Sequence, residues 1–160
     1  MPIDKVVVNA SPLIVLAKTG YAALLPKLFS SVFVPESVAD EIYVADDAAS
    51  RLIAASTWIE KIAVEVRPEI AGWNLGEGES AVLSFALESP DVRASLDDLA
   101  ARRCAKVFSI RTIGTIGILL LAKRRALLDS ARTAIEEVRD AGLYVSDELI
   151  DMFLKEEASK

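Results

Sequence analysis

The first apolar run of the chain is a short β-branched stretch without alternation of apolar and polar positions. It covers residues Lys5–Val8 and predicts a strand that is buried on both faces, as in a parallel sheet. The run stops at Asn9. Ser11 followed by Pro12 then predicts a helix start, with Ser at the N-cap and Pro at the first helical position.

The rest of the chain alternates short apolar runs with segments of helical periodicity. Further strands are predicted at 31–35, 92–96 and 111–113, with a strand or an irregular crossing at 59–66. Helices are predicted at 13–18, 21–29, 36–44, 48–55, 76–87, 99–108, 116–127, 131–141 and 147–156. This alternation implies right-handed βαβ crossovers and an α/β fold with a mostly parallel central sheet.

The length of 160 residues predicts one domain over 1–160, with C-terminal helices from about 129 packing on it and a frayed tail at 156–160. Apolar residues make up 52% of the chain and the mean hydropathy is +0.36. Part of this apolar surface is therefore expected to be buried in a homodimer or against a partner. The longest apolar stretch, 113–122, is too short for a membrane span, and the N-terminus does not resemble a signal peptide.

Missing residue types exclude several chemistries. The chain has no histidine, which excludes a Ser-His-Asp triad and an imidazole general base. Its one cysteine, Cys104, excludes an intramolecular disulfide and a cysteine-based zinc cluster. We therefore expect a reduced, cytoplasmic location. The net charge of −6 argues against bulk attraction to nucleic acid, unless part of it is gathered in a metal site.

Polar side chains stand where predicted strands end, and in an open parallel sheet the ligand site lies outside these ends. The residues in such positions are Asn9, Ser11, Asp97, Asp98, Gly114 and Thr115. Glu41 on the helix after the second strand and Glu79 at the start of a later helix are expected to reach the same edge. Clustered carboxylates repel one another unless a cation lies among them, and oxygen ligands select Mg²⁺ or Mn²⁺. The chemistry that fits is phosphodiester hydrolysis.

Each of these residues also has a purely structural interpretation. Asp98 is placed to cap the helix that begins at residue 99, and Glu79 complements the dipole of its own helix. Glu41 fits an exposed acidic helix face, and Asn9 fits a turn. Arg102 fits a solvated helix face. The order of the residues and their positions at the strand ends favour a site.

Five segments of the sequence together resemble the PIN-domain superfamily, and in particular its small prokaryotic VapC-like toxins. They are residues 6–14, 34–42, 76–82, 96–105 and the Gly-Thr-x-Gly-x-Leu segment at 114–119. The resemblance covers nearly the whole chain. It implies a three-layer α/β/α fold and a Mg²⁺- or Mn²⁺-dependent ribonuclease. It also implies a homodimer that is inhibited by a small antitoxin encoded beside it.

The resemblance assigns the metal ligands to Asn9, Glu41, Glu79 and Asp97, with Asp98 as a further catalytic candidate. The candidates for substrate contacts are Ser11, Arg102 and Thr115. One position departs from the family pattern, because the first acidic residue is Asn9 where the family normally has Asp. An amide oxygen can coordinate a cation but brings no negative charge, so weaker metal binding and slower activity are expected.

Two hypotheses follow. The first is a metal-dependent endoribonuclease that cleaves RNA as the toxin of a toxin–antitoxin pair. The alternative is a PIN-like binding or regulatory module whose catalysis is weakened or lost at Asn9. Two other doubly wound folds fit less well. A dehalogenase-like phosphatase needs Asp-x-Asp after its first strand, and this chain has Asn9-Ala10-Ser11. A receiver domain lacks acidic residues at the positions of Glu41 and Glu79.

Overall fold

The computed structural model describes residues 4–45 and 47–158. Its strands are β1 (Lys5–Val8), β2 (Ser31–Pro35), β3 (Ile59–Ile62) and β4 (Val92–Ser95). Within the described residues they form one sheet in the order β3-β2-β1-β4, and every neighbouring pair is parallel. Helices flank this sheet, so the predicted α/β class with a mostly parallel central sheet is confirmed.

The helices are α1 (Ala10–Thr19), α2 (Leu25–Leu28), α3 (Glu36–Ala45), α4 (Asp47–Ala55), α5 (Pro68–Ala71), α6 (Glu77–Glu88), α7 (Leu99–Val107), α8 (Thr115–Arg124), α9 (Ala131–Asp140) and α10 (Asp147–Ala158), with a 3₁₀ turn at Tyr21–Leu24. Several ends follow from capping chemistry. The φ of +82° at Gly20 ends α1, because glycine enters the left-handed region without strain. Ser146 accepts a hydrogen bond from the Leu149 N–H, as expected for the N-cap of α10.

The central position of β1 explains its sequence. Its valines Val6, Val7 and Val8 are fully buried, because β2 and β4 pair with the two edges of β1 and helices cover the faces of the sheet. Val7 lies opposite Phe33 of β2 and Ala94 of β4. A strand covered on both faces needs apolar residues at consecutive positions, as the valine run predicted.

The start of α1 differs from the prediction. Asn9, with φ −79° and ψ 168°, occupies the N-cap position, and Ser11 lies exposed within the first turn. The helix begins earlier because β1 ends at Val8 and the chain turns into α1 within one residue. Pro12 is tolerated inside the first turn, where backbone N–H groups have no partner in the helix.

The strand predicted at 111–113 is reduced to an isolated parallel bridge between Thr112 and Ala94. Ala94 N–H donates to the Arg111 carbonyl at 2.8 Å, and Ile113 N–H donates to the Ala94 carbonyl at 3.0 Å. These two bonds hold the segment beside β4, so Gly114 and Thr115 still follow the edge of the sheet. The prediction of a full strand there was wrong, because the chain pairs over one residue only.

Two C-terminal helices also differ from their predicted bounds. The helix predicted at 116–127 is α8, which ends at Arg124, because Ala126 takes a left-handed φ of +60°. The helix α10 continues to Ala158, where Arg124 donates two hydrogen bonds of 2.7 Å to Glu157. Of the tail predicted at 156–160, residues 159 and 160 lie outside the described residues. Among the residues described, no helix has the length and apolar character needed to cross a membrane.

Candidate functional site at the carboxyl edge of the sheet

The switch in strand order places a crevice between β1 and β4. The chain runs outward from β1 to β2 and β3, and then returns to add β4 on the other side of β1. Ligands of open α/β sheets bind at this kind of switch point, outside the carboxyl ends of the strands. Asn9 follows β1 there and Asp97 follows β4. Asn9 N–H donates to the Ser95 carbonyl at 3.1 Å and so continues the pairing of the two strands to the edge.

Asn9 is buried at this edge, with only 4% of its surface exposed. Its side chain makes no capping bond to α1. Instead, Nδ2 donates to Oε1 of Glu79 at 3.5 Å, the long limit of a hydrogen bond. Oδ1 has no hydrogen-bond partner among the described residues. A buried amide oxygen without a partner is costly, so it marks a place where a ligand can bind.

Gly78 shows what faces this oxygen. A Cβ atom placed on Gly78 would lie 3.1 Å from Asn9 Oδ1, 3.2 Å from Val38 Cγ2 and 3.8 Å from Glu41 Oε2. The amide oxygen of Asn9 and the carboxylate of Glu41 thus converge on one point above α6, where the absence of a side chain leaves room for them. Sequence reasoning did not single out Gly78, although glycine in the first turn of a helix is unfavourable unless a close approach requires it.

Glu41 and Glu79 reach the site from different helices. In α3, Val38 and Ile42 are fully buried and Glu41 is exposed at the rim. Glu79 stands in the first turn of α6 and accepts a hydrogen bond from Gly76 N–H at 2.9 Å through Oε2. Its other oxygen is directed to Asn9. The structural interpretation of Glu79 is therefore compatible with the functional one, because the bond to Gly76 fixes the carboxylate that faces Asn9.

Asp97 is held by Thr115. The Thr115 N–H donates to Oδ1 at 2.8 Å, and the Thr115 hydroxyl donates to Oδ2 at 2.6 Å. Because Thr115 is the first residue of α8, the carboxylate also faces the positive end of that helix dipole. Thr115 is fully buried, so its contact with the site is made through Asp97.

Asp98 points to a different element. Its Oδ2 accepts a hydrogen bond from the Ala101 N–H at 3.0 Å and caps α7.

Arg102, in the first turn of α7, has its guanidinium near Asp97. A Cβ on Gly114 would lie 2.9 Å from Asp97 Oδ1 and 3.0 Å from Arg102 Nη1. An apolar groove opens beside them, lined among others by Leu99, Ile116, Leu149 and Phe153.

The donor atoms at this edge are all oxygens, which suits a hard divalent cation. The unpartnered Asn9 Oδ1 and the Glu41 carboxylate fit such an ion, and Glu79 adds a second negative charge beside them. Within residues 4–45 and 47–158, no three Asp, Glu, His or Cys side chains form a metal-binding group by themselves. The candidate donor set therefore consists of the Asn9 amide oxygen with the Glu41 and Glu79 carboxylates.

Comparison with known families agrees with this architecture. A family model described as a PIN domain matches residues 5–159. The chain therefore belongs to the PIN-domain family. PIN domains have a nuclease-type fold and generally use divalent metal ions. No curated protein matches the chain significantly. The narrower likeness to VapC-like toxins stays a prediction.

Proposed function

We propose that this protein is a Mg²⁺- or Mn²⁺-dependent endoribonuclease. The observation that carries the proposal is the buried Asn9 Oδ1, which lacks a partner among the described residues and faces the Glu41 carboxylate across Gly78. A nuclease that depends on Mg²⁺ or Mn²⁺ needs an oxygen-lined position of this kind, because the bound cation would offset the negative charge of a phosphodiester. Asn9, Glu41, Glu79 and Asp97 are the proposed ligands.

Such a cation would supply Lewis acidity towards the phosphate and an activated water. The roles of the chain follow from its contacts. Glu41 and Glu79 supply negative charge on either side of Asn9, and Thr115 holds Asp97 in a fixed orientation through two hydrogen bonds. Arg102, which lies on the same side of Gly114 as Asp97, supplies a positive charge for a phosphate oxygen. Ser11 remains a proposed substrate contact, and Asp98 remains a further catalytic candidate. The proposed products carry a 3′-hydroxyl and a 5′-phosphate.

The second candidate function is a binding or regulatory module without catalysis. The Nδ2 group of Asn9 favours it, because this neutral donor faces Glu79 where a carboxylate would otherwise require a cation. In this case the amide replaces part of the charge compensation that the metal provides in an active nuclease. The two candidates differ in whether the chain cleaves RNA when Mn²⁺ is added.

The test is cleavage of RNA in Mn²⁺ by the wild type, by the Glu41→Gln/Asp97→Asn double variant and by Glu36→Gln. Glu36 is exposed on the same helix as Glu41 and serves as the matched control. We expect the wild type and the control to cleave and the double variant to lose cleavage at least 100-fold. Equal cleavage by all three would identify a contaminant and contradict the proposal. An inactive wild type that gains activity with Asn9→Asp would support the second candidate.

We further propose that the chain is a homodimeric, cytoplasmic toxin with a small antitoxin partner. The apolar groove beside Asp97 supports this proposal, since it offers an apolar surface next to the catalytic residues. Expression of the chain should arrest growth, and co-expression of a short neighbouring reading frame should restore it. Growth arrest that persists in the Glu41→Gln/Asp97→Asn variant would contradict a nuclease toxin.

A further inference from the structure

Helix α7 packs a face of small residues against the core and carries three basic residues on its exposed side. Ala101, Cys104 and Ala105 are fully buried against the core. Arg102, Arg103 and Lys106 are all exposed on the other side. Lys106 lies four residues after Arg102 and three after Arg103, so its side chain neighbours both on the helix surface and the three form one basic surface. We call Arg102, Arg103 and Lys106 the α7 basic face.

The charges of this face are not compensated. Within residues 4–45 and 47–158, none of its three side chains forms an ion pair or a hydrogen bond. Five other arginines do pair with carboxylates: Arg67, Arg93, Arg124, Arg132 and Arg139. In a chain of net charge −6, three adjacent unpaired cations form a local field of the opposite sign.

The α7 basic face begins at the candidate active site. Arg102 Nη1 and Asp97 Oδ1 lie against the same side of Gly114, at 3.0 Å and 2.9 Å from the position of a Cβ there. From Arg102, an open depression runs along α7 and is lined by Leu99, Arg102, Arg103, Lys106, Ile110 and Thr112. A chain that lies on this surface therefore continues directly into the edge that holds Asp97.

We propose that the α7 basic face binds the phosphate backbone of the RNA strand and leads it to the site at Asp97. This inference rests on the proposed nuclease function. Charge and position together favour RNA, because three cations without ion pairs suit a polyanion and the surface ends at the groups proposed to hydrolyse it. Arginine binds phosphate through two parallel N–H donors, and Lys106 adds a third cation one turn beyond Arg102.

The test measures binding without cleavage. All proteins carry Glu41→Gln, and the probe is a fluorescein-labelled single-stranded RNA in EDTA, followed by fluorescence anisotropy at several salt concentrations. The test variant is Arg103→Gln/Lys106→Gln, which leaves Arg102 beside Asp97 in place. The matched control is Lys27→Gln/Lys155→Gln, which removes the same charge from exposed positions on α2 and α10. Circular dichroism checks that each variant is folded.

We expect the Arg103→Gln/Lys106→Gln variant to bind RNA about tenfold more weakly at 0.1 M salt, and the control to change less than twofold. The slope of log K against log salt should fall by about 1.4, because each phosphate contact on a single strand contributes about 0.7. Two probes of different sequence should lose affinity equally, since backbone contacts carry no base information.

An equal loss in the control pair would show that only net charge matters, and this result would overturn the proposal. A second result would also overturn the proposal: the Arg103→Gln/Lys106→Gln variant keeps its RNA affinity but sediments more slowly. This result would mean that the α7 basic face contacts a second copy of the chain. Failure of the nuclease proposal is distinguishable, because RNA bound through α7 without any cleavage by the wild type contradicts only the enzymatic function.

Discussion

Asp97 and Thr115 form a two-bond contact in which one residue supplies both donors. The N–H and the hydroxyl of Thr115 lie 2.8 Å and 2.6 Å from the two carboxylate oxygens of Asp97. The contact ties the end of β4 to the start of α8 at the sheet edge. A carboxylate that is proposed to bind a cation needs a fixed orientation, and the two bonds from the buried Thr115 fix that of Asp97.

Replacing Thr115 by Val tests this contact. Valine keeps the shape of the fully buried side chain and removes the hydroxyl donor. We expect the free energy of unfolding in urea to fall by about 2 kcal/mol, because the lost hydrogen bond is made to a charged group. Thr133→Val, at an exposed position on α9, should change it by less than about 0.5 kcal/mol. Equal stability of the two variants would mean that the hydroxyl does not hold Asp97.

Gly78→Ala tests the space between Asn9 and Glu41. The new methyl group would lie 3.1 Å from Asn9 Oδ1 and displace the amide from its present position. Alanine in a helix gains up to about 1 kcal/mol over glycine, so we expect the free energy of unfolding to change little. Mn²⁺ affinity, measured by calorimetry, should fall at least tenfold.

The control for that variant is Gly72→Ala. The nearest atom to a Cβ at Gly72 is a backbone oxygen at 3.9 Å, and its φ of −64° suits any residue. We expect this variant to bind Mn²⁺ like the wild type. Equal affinity of the Gly78→Ala variant would show that the ion does not bind where Asn9 and Glu41 converge.

The sequence was sufficient for the fold class because burial leaves a direct pattern. A run of three valines without alternation is compatible with a central parallel strand, and β1 is that strand. The segment 111–113 was predicted as a strand, but it makes only two backbone hydrogen bonds to Ala94. Whether more bonds form depends on where β4 ends. No local pattern distinguishes such a bridge from a strand.

For the candidate site, the sequence left two neighbouring carboxylates as candidates at the end of β4. Asp97 and Asp98 are adjacent in the sequence, and the structure directs Asp98 to the N-terminus of α7, as its predicted capping position indicates, and Asp97 to Thr115. Gly78 could not be connected with Asn9 from the sequence, because their proximity depends on how closely α6 packs beside β1 and α3. Spacing along the chain does not give that distance.

Cys104 should be unreactive in the folded protein. The thiol is fully buried, and burial raises the pKa of Cys104 above its usual value. Reaction at Cys104 is therefore disfavoured for two reasons: a reagent cannot reach the buried sulfur, and the raised pKa keeps the thiol protonated. We expect iodoacetamide to label the native chain at pH 8 at least 100-fold more slowly than the urea-unfolded chain. Labelling at the same rate without urea would contradict the buried position.

The same raised pKa gives a dependence of stability on pH. The folded state binds the thiol proton more tightly than the unfolded state, so this contribution is complete below the ordinary cysteine pKa of about 8.5. It is lost as the pH rises through the folded-state pKa. Compared with the wild type, Cys104→Ala should lose less stability between pH 8 and pH 10 in urea titrations. A parallel decline of both proteins would argue against the shift.

Asn9→Asp should make stability dependent on the cation. The new carboxylate would stand beside Glu79, whose Oε1 lies 3.5 Å from Asn9 Nδ2, and would also face Glu41. Without a metal, we expect a loss of about 2 kcal/mol from like-charge repulsion. Thermal unfolding in EDTA and in Mn²⁺ should show that Mn²⁺ reverses this loss. The control is Asn74→Asp, at the other asparagine of the chain. Its thermal unfolding should be the same in EDTA and in Mn²⁺.

The most direct test of the central claim is a calorimetric Mn²⁺ titration of the wild type, Glu41→Gln and Asn9→Asp. If Asn9, Glu41 and Glu79 hold the ion, the wild type binds Mn²⁺ saturably, Glu41→Gln weakens binding at least tenfold and Asn9→Asp strengthens it. Identical isotherms for all three proteins, or no binding by any of them, would contradict a metal site at this edge of the sheet.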